Sequence, residues 1–307
     1  MRTVDAVHLG LMLAALAITY LVPFELLLLS YVVLGPAHYF TEISWLHDRK
    51  YFLPRRNIAF GLASVAVVAA LIDNAAWFGF VIWMAFVACA LLTATTAAQS
   101  AVLTFVAVGV TVIMAVNGSS LAVLGILLPT LIHVSLFTLV FMTLGAYRSS
   151  SKAQAFLVVV YLLAIGVILL APPSAATQIP AFAKAGQEYF GNVGPALGRL
   201  LGIGGLRLDT RLTSLLAFVY TYHYLNWFIK ADVIRWAEIP KPRLALVIAA
   251  SAASTALYFY NYAFGFTILL ALSLVHVVLE FPLNNLAVRQ LGAAIGQGLA
   301  QRLHRRA

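Results

Sequence analysis

The chain is poor in charge and has almost no cysteine. Only 9% of its 307 residues are charged, while 63% are hydrophobic. A soluble domain carries about 25% charged residues, so an ordinary water-facing fold is excluded. The single cysteine, Cys89, excludes an intrachain disulfide and any Cys-based metal or redox motif. Long apolar runs repeat from end to end and leave no room for a separate soluble domain. The expected fold is an all-α, polytopic helical bundle integral to a membrane, one transmembrane domain over residues 1–307. The first apolar run starts after Arg2 and continues into a second without a small-residue cleavage site, so no cleavable signal peptide is expected.

A span needs about 20 apolar residues. Ten stretches qualify, near 6–22, 24–46, 57–73, 77–95, 100–117, 121–147, 153–171, 212–230, 244–262 and 264–285. Residues 6–46 are too long for one helix, and Pro23-Phe24-Glu25 offers a turn between two. Pro282 is expected to end the exposed part of the last helix.

The net charge of +9 is compatible with nucleic acid, but the basic residues fall in short clusters between apolar runs, which points to the positive-inside rule instead. Arg49, Lys50, Arg55 and Arg56 share one connection, and Arg148 and Lys152 another. Lys230, Arg235, Lys241 and Arg243 share a third, and Arg289, Arg302, Arg305 and Arg306 lie in the tail. With ten spans these clusters and Arg2 fall on one side. Both termini are therefore expected in the cytoplasm, the membrane being a bacterial inner membrane. Residues 172–211, rich in proline and glycine, are expected to form an external loop. Residues 286–307, alternating apolar and basic, are expected to be an amphipathic tail on the anionic inner leaflet.

Ionisable groups inside spans are costly and mark function. His38, His133, His223 and His276 lie in the second, sixth, eighth and tenth stretches, which all descend towards the cytoplasm. Each precedes the inner end of its helix by several residues to about a dozen, so at about 1.5 Å per residue they can share one layer. Glu42 follows His38 by four residues and Glu280 follows His276 by four, the spacing of one helix face. Each glutamate can be a ligand or can orient an imidazole from behind. Tyr220 and Asn226 share the face of His223, with Tyr222, Tyr224 and Trp227 beside them; an aromatic belt at the inner interface reads the same pattern. Pro36 and Pro129 lie just before His38 and His133, where a kink can open space. His47 reads as interfacial, and His8 and His304 as peripheral.

These groups point to a metal site with His38, His133, His223 and His276 as ligands and Glu42, Glu280 and Tyr220 as catalytic groups. Imidazole with carboxylate suits iron, manganese or zinc, and Fe(II) is the usual choice for oxygen chemistry. Haem is the other cofactor the histidines can hold.

The segment Gly35-Pro36-Ala37-His38-Tyr39-Phe40-Thr41-Glu42 resembles the Gly-x-x-His-Gly-x-x-Asp segment of the Brp/Blh family, membrane-embedded β-carotene 15,15′-dioxygenases that cleave carotene to retinal. Chain length and histidines spread over several helices also match. The resemblance implies a histidine-bound iron and a long polyene substrate, and it carries over to His38. Tyr39 stands where the family has glycine and Glu42 where it has aspartate. Tyr222-His223-Tyr224 offers one histidine where the family has a close pair.

The leading expectation is thus an iron-dependent oxygenase acting on a hydrophobic substrate such as a carotenoid or lipid, with membrane lipid around it and no nucleic-acid partner. A proton- or ion-coupled transporter using the buried His and Glu residues, and a haem-binding membrane subunit, are the alternatives.

Overall fold

The computed structural model describes residues 3–72, 74–116, 128–173, 208–230, 235–236 and 238–304. Those residues form ten helical rods. In chain order they are α1 (Thr3–Leu21), α2 (Pro23–Asp48), α3 (Arg56–Ala70), α4 (Ala75–Leu92) and α5 (Ala97–Val116), followed by α6 (a π-helical stretch Leu128–Phe137 running into Thr138–Ser149), α7 (Lys152–Leu170), α8 (Leu208–Ile229), α9 (Lys241–Tyr260) and α10 (Tyr262–His304). No strand occurs among the described residues. Seven of the helices are long and apolar enough to cross a membrane.

The boundaries have local causes. Pro23 opens α2, since proline lacks the N–H that a first turn leaves unpaired. The Asn74 side chain caps α4 by accepting from the Ala76 and Trp77 amides, and the Ser151 hydroxyl caps α7 by accepting from Gln154. Of the expected external loop, only residues 172–173 and 208–211 are described, and from Leu208 onward the chain is already α8.

The last helix differs from expectation. α10 does not stop at Pro282 but continues to His304. Beyond Pro282, Ala287 and Leu291 pack against Val140 and Leu144 of α6. The Tyr147 hydroxyl donates to the Ala294 carbonyl, and Arg289 donates to the Thr93 carbonyl. The first turns of the tail are therefore docked on neighbouring helices, because their small and apolar face has a partner there.

Two prolines inside helices are matched by donors from elsewhere. A proline cannot bond the carbonyl four residues earlier. Pro36 leaves the Val32 carbonyl free, and the Thr255 hydroxyl of α9 donates to it at 2.9 Å. Pro282 leaves the Val278 carbonyl free, and the Cys89 thiol of α4 approaches it at 3.9 Å. Re-satisfying a freed carbonyl from a neighbouring helix is how apolar bundles tolerate internal proline.

Burial is inside out relative to a soluble protein. α5 has no buried residue, and its Phe105 is 82% exposed. The ionisable His38, Glu42, His133, His223, His276 and Glu280 are all buried. One apolar core unites α1, α2, α6, α7 and α8, and a second unites the end of α2 with α3, α4 and α10. The site lies where these two cores meet.

Candidate metal centre

Each histidine comes from a different helix: His38 from α2, His133 from α6, His223 from α8 and His276 from α10. Two of these helices are π-helical close to the ligand. In α2 the widened turn Ser30–Leu34 immediately precedes Gly35, whose amide bonds the Ser30 carbonyl. In α6 the π stretch Leu128–Phe137 contains His133 itself. Pro36 follows the first, where its ring crowds the preceding turn and favours widening, and Pro129 lies near the start of the second. Such widened turns concentrate at functional sites.

The four rings close into a square. Ring centroids are 4.8 Å apart for His38 and His223, 5.1 Å for His223 and His133, 5.0 Å for His133 and His276, and 5.2 Å for His276 and His38. Adjacent rings are edge to face, so nitrogens rather than ring faces meet. Nε2 of His38 lies 3.2 Å from Nε2 of His223, and Nε2 of His133 lies 3.1 Å from Nε2 of His276. With metal–nitrogen bonds of about 2.0–2.1 Å, cis ligands stand about 3.0 Å apart at right angles and about 3.4 Å apart in a tetrahedron. The observed separations fall between.

Both carboxylates reach this layer. Glu42 Oε2 is 2.9 Å from His38 Nε2, and Glu280 Oε2 is 3.4 Å from His133 Nε2. Neither Oε2 makes a hydrogen bond among the described residues despite being buried. Buried imidazole nitrogens and unbonded carboxylate oxygens gathered this closely suit a shared cation. Two overlapping ligand groups result, His38/His223/His276 and His133/His276/Glu280, in each of which the donor atoms lie within 4.8 Å of one another. They share His276 and so describe one cluster, whose His and Glu side chains can hold a metal ion.

The glutamates do not orient imidazoles from behind, as their spacing also allowed. Glu42 meets the inward-facing Nε2 of His38, and Glu280 lies against His133 of α6 and against the Glu42 side chain. Two of the four outward nitrogens find other partners, while Nδ1 of His38 and of His133 is buried with none among the described residues. His276 Nδ1 lies 2.6 Å from the Ser273 carbonyl one turn back, which fixes a proton on Nδ1 and leaves Nε2 as a lone pair. His223 Nδ1 is 2.8 Å from the Thr138 hydroxyl. Sequence reasoning missed both: the i−3 spacing of Ser273 was readable, but Thr138 lies 85 residues from its partner.

The aromatic cluster is buried around the site and does not form an interfacial belt. Tyr224 and Trp227 approach the His38 ring at 5.0 and 5.4 Å, and the Trp227 indole donates to the Thr41 hydroxyl. Tyr220 sits one layer further, edge-on to Tyr31 and Tyr224, and reaches the site through Tyr224. Asn226 is buried with its Oδ1 unpaired among the described residues.

His8 is not peripheral. It is only 6% exposed, and its Nδ1 lies 3.3 Å from the Tyr222 hydroxyl. His47 is exposed at the end of α2, 3.4 Å from Asp48, and so agrees with an interfacial place. The side chain of His304 lies outside the described residues.

A cavity of about 410 Å³ adjoins the cluster, within the range of about 300–1,000 Å³ usual for small-molecule sites. His38, Glu42, His223 and Glu280 form one end, and Phe141, Met142, Leu144 and Leu157 are among its apolar walls. Compared with protein-family models, with curated proteins and with solved structures, the chain matches none.

Proposed function

We propose that the chain is a membrane-embedded, histidine-ligated metal oxygenase, using non-haem Fe(II) and acting on a hydrophobic substrate such as a carotenoid or lipid. The observation that carries this reading is the buried square of four imidazoles, with two carboxylates at its edge, set beside an apolar cavity. Burying two carboxylates without a counter-charge costs several kcal/mol each, on the order of the penalty for any unpaired buried ion. A divalent cation offsets that cost, and the thiolate-free donor set fits iron, manganese or zinc. Bound there, ferrous iron supplies activation of dioxygen.

The protein's own groups do the rest. The four imidazoles hold the cation, with the Ser273 carbonyl and the Thr138 hydroxyl holding two of them in register. Glu42 and Glu280 balance charge, and either can carry a proton next to the cavity. Trp45, Phe141 and Met142 exclude water. Residues 35–42 add the Brp/Blh resemblance, with Tyr39 as its main departure. We further place both termini in the cytoplasm of a bacterial inner membrane, on the distribution of Lys and Arg.

The test is the metal content and absorption spectrum of the protein purified in detergent. One iron per chain without a Soret band supports the oxygenase. A Soret band moves the assignment to a haem-binding subunit, and a colourless, metal-free protein moves it to a transporter.

A further inference from the structure

The cavity continues away from the histidines to a mouth that is cationic. His223 and Asn226 of α8 and Lys230, one residue past its end, are spaced i, i+3 and i+7, so they follow one another along the wall. On α6, Thr138, Phe141, Met142, Gly145 and Arg148 form the facing stripe. At about 1.5 Å per residue, Lys230 lies about 10 Å along its helix from His223, and Arg148 about 15 Å from Thr138. Lys230 shares the cavity wall with His8 as well as with His223. Arg148 is exposed at the mouth, where it donates to Gln290 and has further N–H groups to offer.

The other titratable groups on the wall are Asp5 and His8 on α1, His38 and Glu42 on α2, and Glu280 on α10. The negative groups divide by position. Glu42 and Glu280 sit at the histidine end, and of the mouth residues only Asp5 is acidic. The Asn226 amide stands between the two ends, its carbonyl oxygen unpaired among the described residues. The cavity is therefore polar at both ends, with mostly apolar walls between that Asn226 interrupts.

We infer that the cavity takes a single-chain amphiphile with an anionic head, the head held by Lys230 and Arg148 and the apolar chain running to the four histidines. This rests on the metal-oxygenase reading for what happens at the far end, but not for the binding itself. An uncharged polyene hydrocarbon would offer neither cation an anion. A carboxylate or phosphate uses them through charge-assisted hydrogen bonds, Arg148 with its planar fork.

The probe is a saturated fatty acid compared with the fatty alcohol of the same length, titrated into the full chain in nanodiscs of zwitterionic lipid, with metal measured in parallel. The acid should bind at least about tenfold more tightly than the alcohol, the weight of one charged hydrogen bond. Lys230→Gln and Arg148→Gln should each reduce that preference, and the double variant should abolish it while alcohol affinity and metal content stay unchanged. Lys230→Arg should keep it. Equal binding of acid and alcohol, or a preference that survives the double variant, overturns the proposal. So does displacement of the acid by an anionic diacyl lipid at equal potency, which would make the mouth a lipid head-group site. A metal-free protein that still prefers the acid leaves the head-group subsite standing and removes the oxygenase.

Discussion

The Tyr39 ring lies face to face with the His276 imidazole, centroids 4.4 Å apart and planes 24° from parallel. Its hydroxyl meets that of Tyr224 at 2.7 Å. Tyr39 reaches this place by folding back along α2 over Gly35, where an added Cβ would stand 3.0 Å from the tyrosine oxygen. Tyr39, one of the two residues at which segment 35–42 differs from the Brp/Blh pattern, thus packs against a candidate ligand on another helix.

Tyr39→Phe should keep the stacked ring and full metal occupancy, losing about 1–2 kcal/mol for the Tyr224 hydroxyl left unpaired. Tyr39→Gly should cost about 3–5 kcal/mol, as loss of a buried aromatic does, and should loosen His276 enough to lower metal occupancy. Reversible unfolding in mixed detergent micelles and metal analysis check both. Full occupancy in the glycine variant would sink the supporting role.

The carboxylates should behave as ligands. Because Glu42 Oε2 and Glu280 Oε2 face the inward nitrogens, Glu42→Gln and Glu280→Gln should weaken metal binding by more than the roughly 10–100-fold typical of an outer partner. Competition against a chelator of known affinity gives the number. A loss of under tenfold would return the glutamates to proton transfer or charge balance alone.

Thr138 should behave as an outer partner. Thr138→Val removes the hydroxyl at His223 Nδ1 and should lower metal affinity by about 10–100-fold, whereas Thr138→Ser should retain it. If valine binds metal as tightly as threonine, the orientation of His223 is set by packing alone.

Thr255→Val should act at a distance. It removes the donor to the Val32 carbonyl that Pro36 frees and should cost about 1–3 kcal/mol of stability. Thr255 touches no histidine in the described contacts, so any loss of metal occupancy would pass through the helix carrying His38. An unchanged unfolding free energy would mean that another group, or water, satisfies that carbonyl.

Metal removal should be felt by the whole bundle, because His38, His133, His223 and His276 tie four helices together. A ligand bound at a hundred times its Kd stabilises by about 2.7 kcal/mol, so a chelator should lower Tm by several degrees. His38→Ala, His223→Ala and His276→Ala should already lack most of the metal and shift little on chelation, while His47→Ala should respond like the unaltered chain.

The helices were legible because hydropathy and length are local. The ten expected stretches and the ten rods agree in order, and over the described residues in extent for all but the last, with Pro23 dividing the first two. Pro282 misled: proline marks a break when read alone, yet here Cys89 lies against the freed carbonyl and the helix continues. The four histidines converge as their shared depth required, since rise per residue is fixed. Which nitrogen faces inward, and that Thr138, Ser273 and Tyr39 support the ring, were not legible. Those follow from how helices rotate against one another, which one-dimensional spacing does not encode. His8 was misplaced for the same reason, since an N-terminal position says nothing of the helix packed over it.

The π-helical turn Ser30–Leu34 takes up one residue in α2 without turning the helix. An α-helix rotates by about 100° per residue, but a π-helical turn holds one residue more than an α turn does, and the Gly35 amide reaches the Ser30 carbonyl five residues back. The Leu27 and Leu28 side that anchors α2 in its core and the side that carries His38 and Glu42 therefore keep the relation they would have in an unbroken α-helix. Deleting one residue inside the turn should return it to ordinary winding and leave both sides seated, whereas deleting one from a purely α-helical stretch would turn everything beyond it by about 100°. The turn is thus the one place in α2 where length can change without displacing the histidine face.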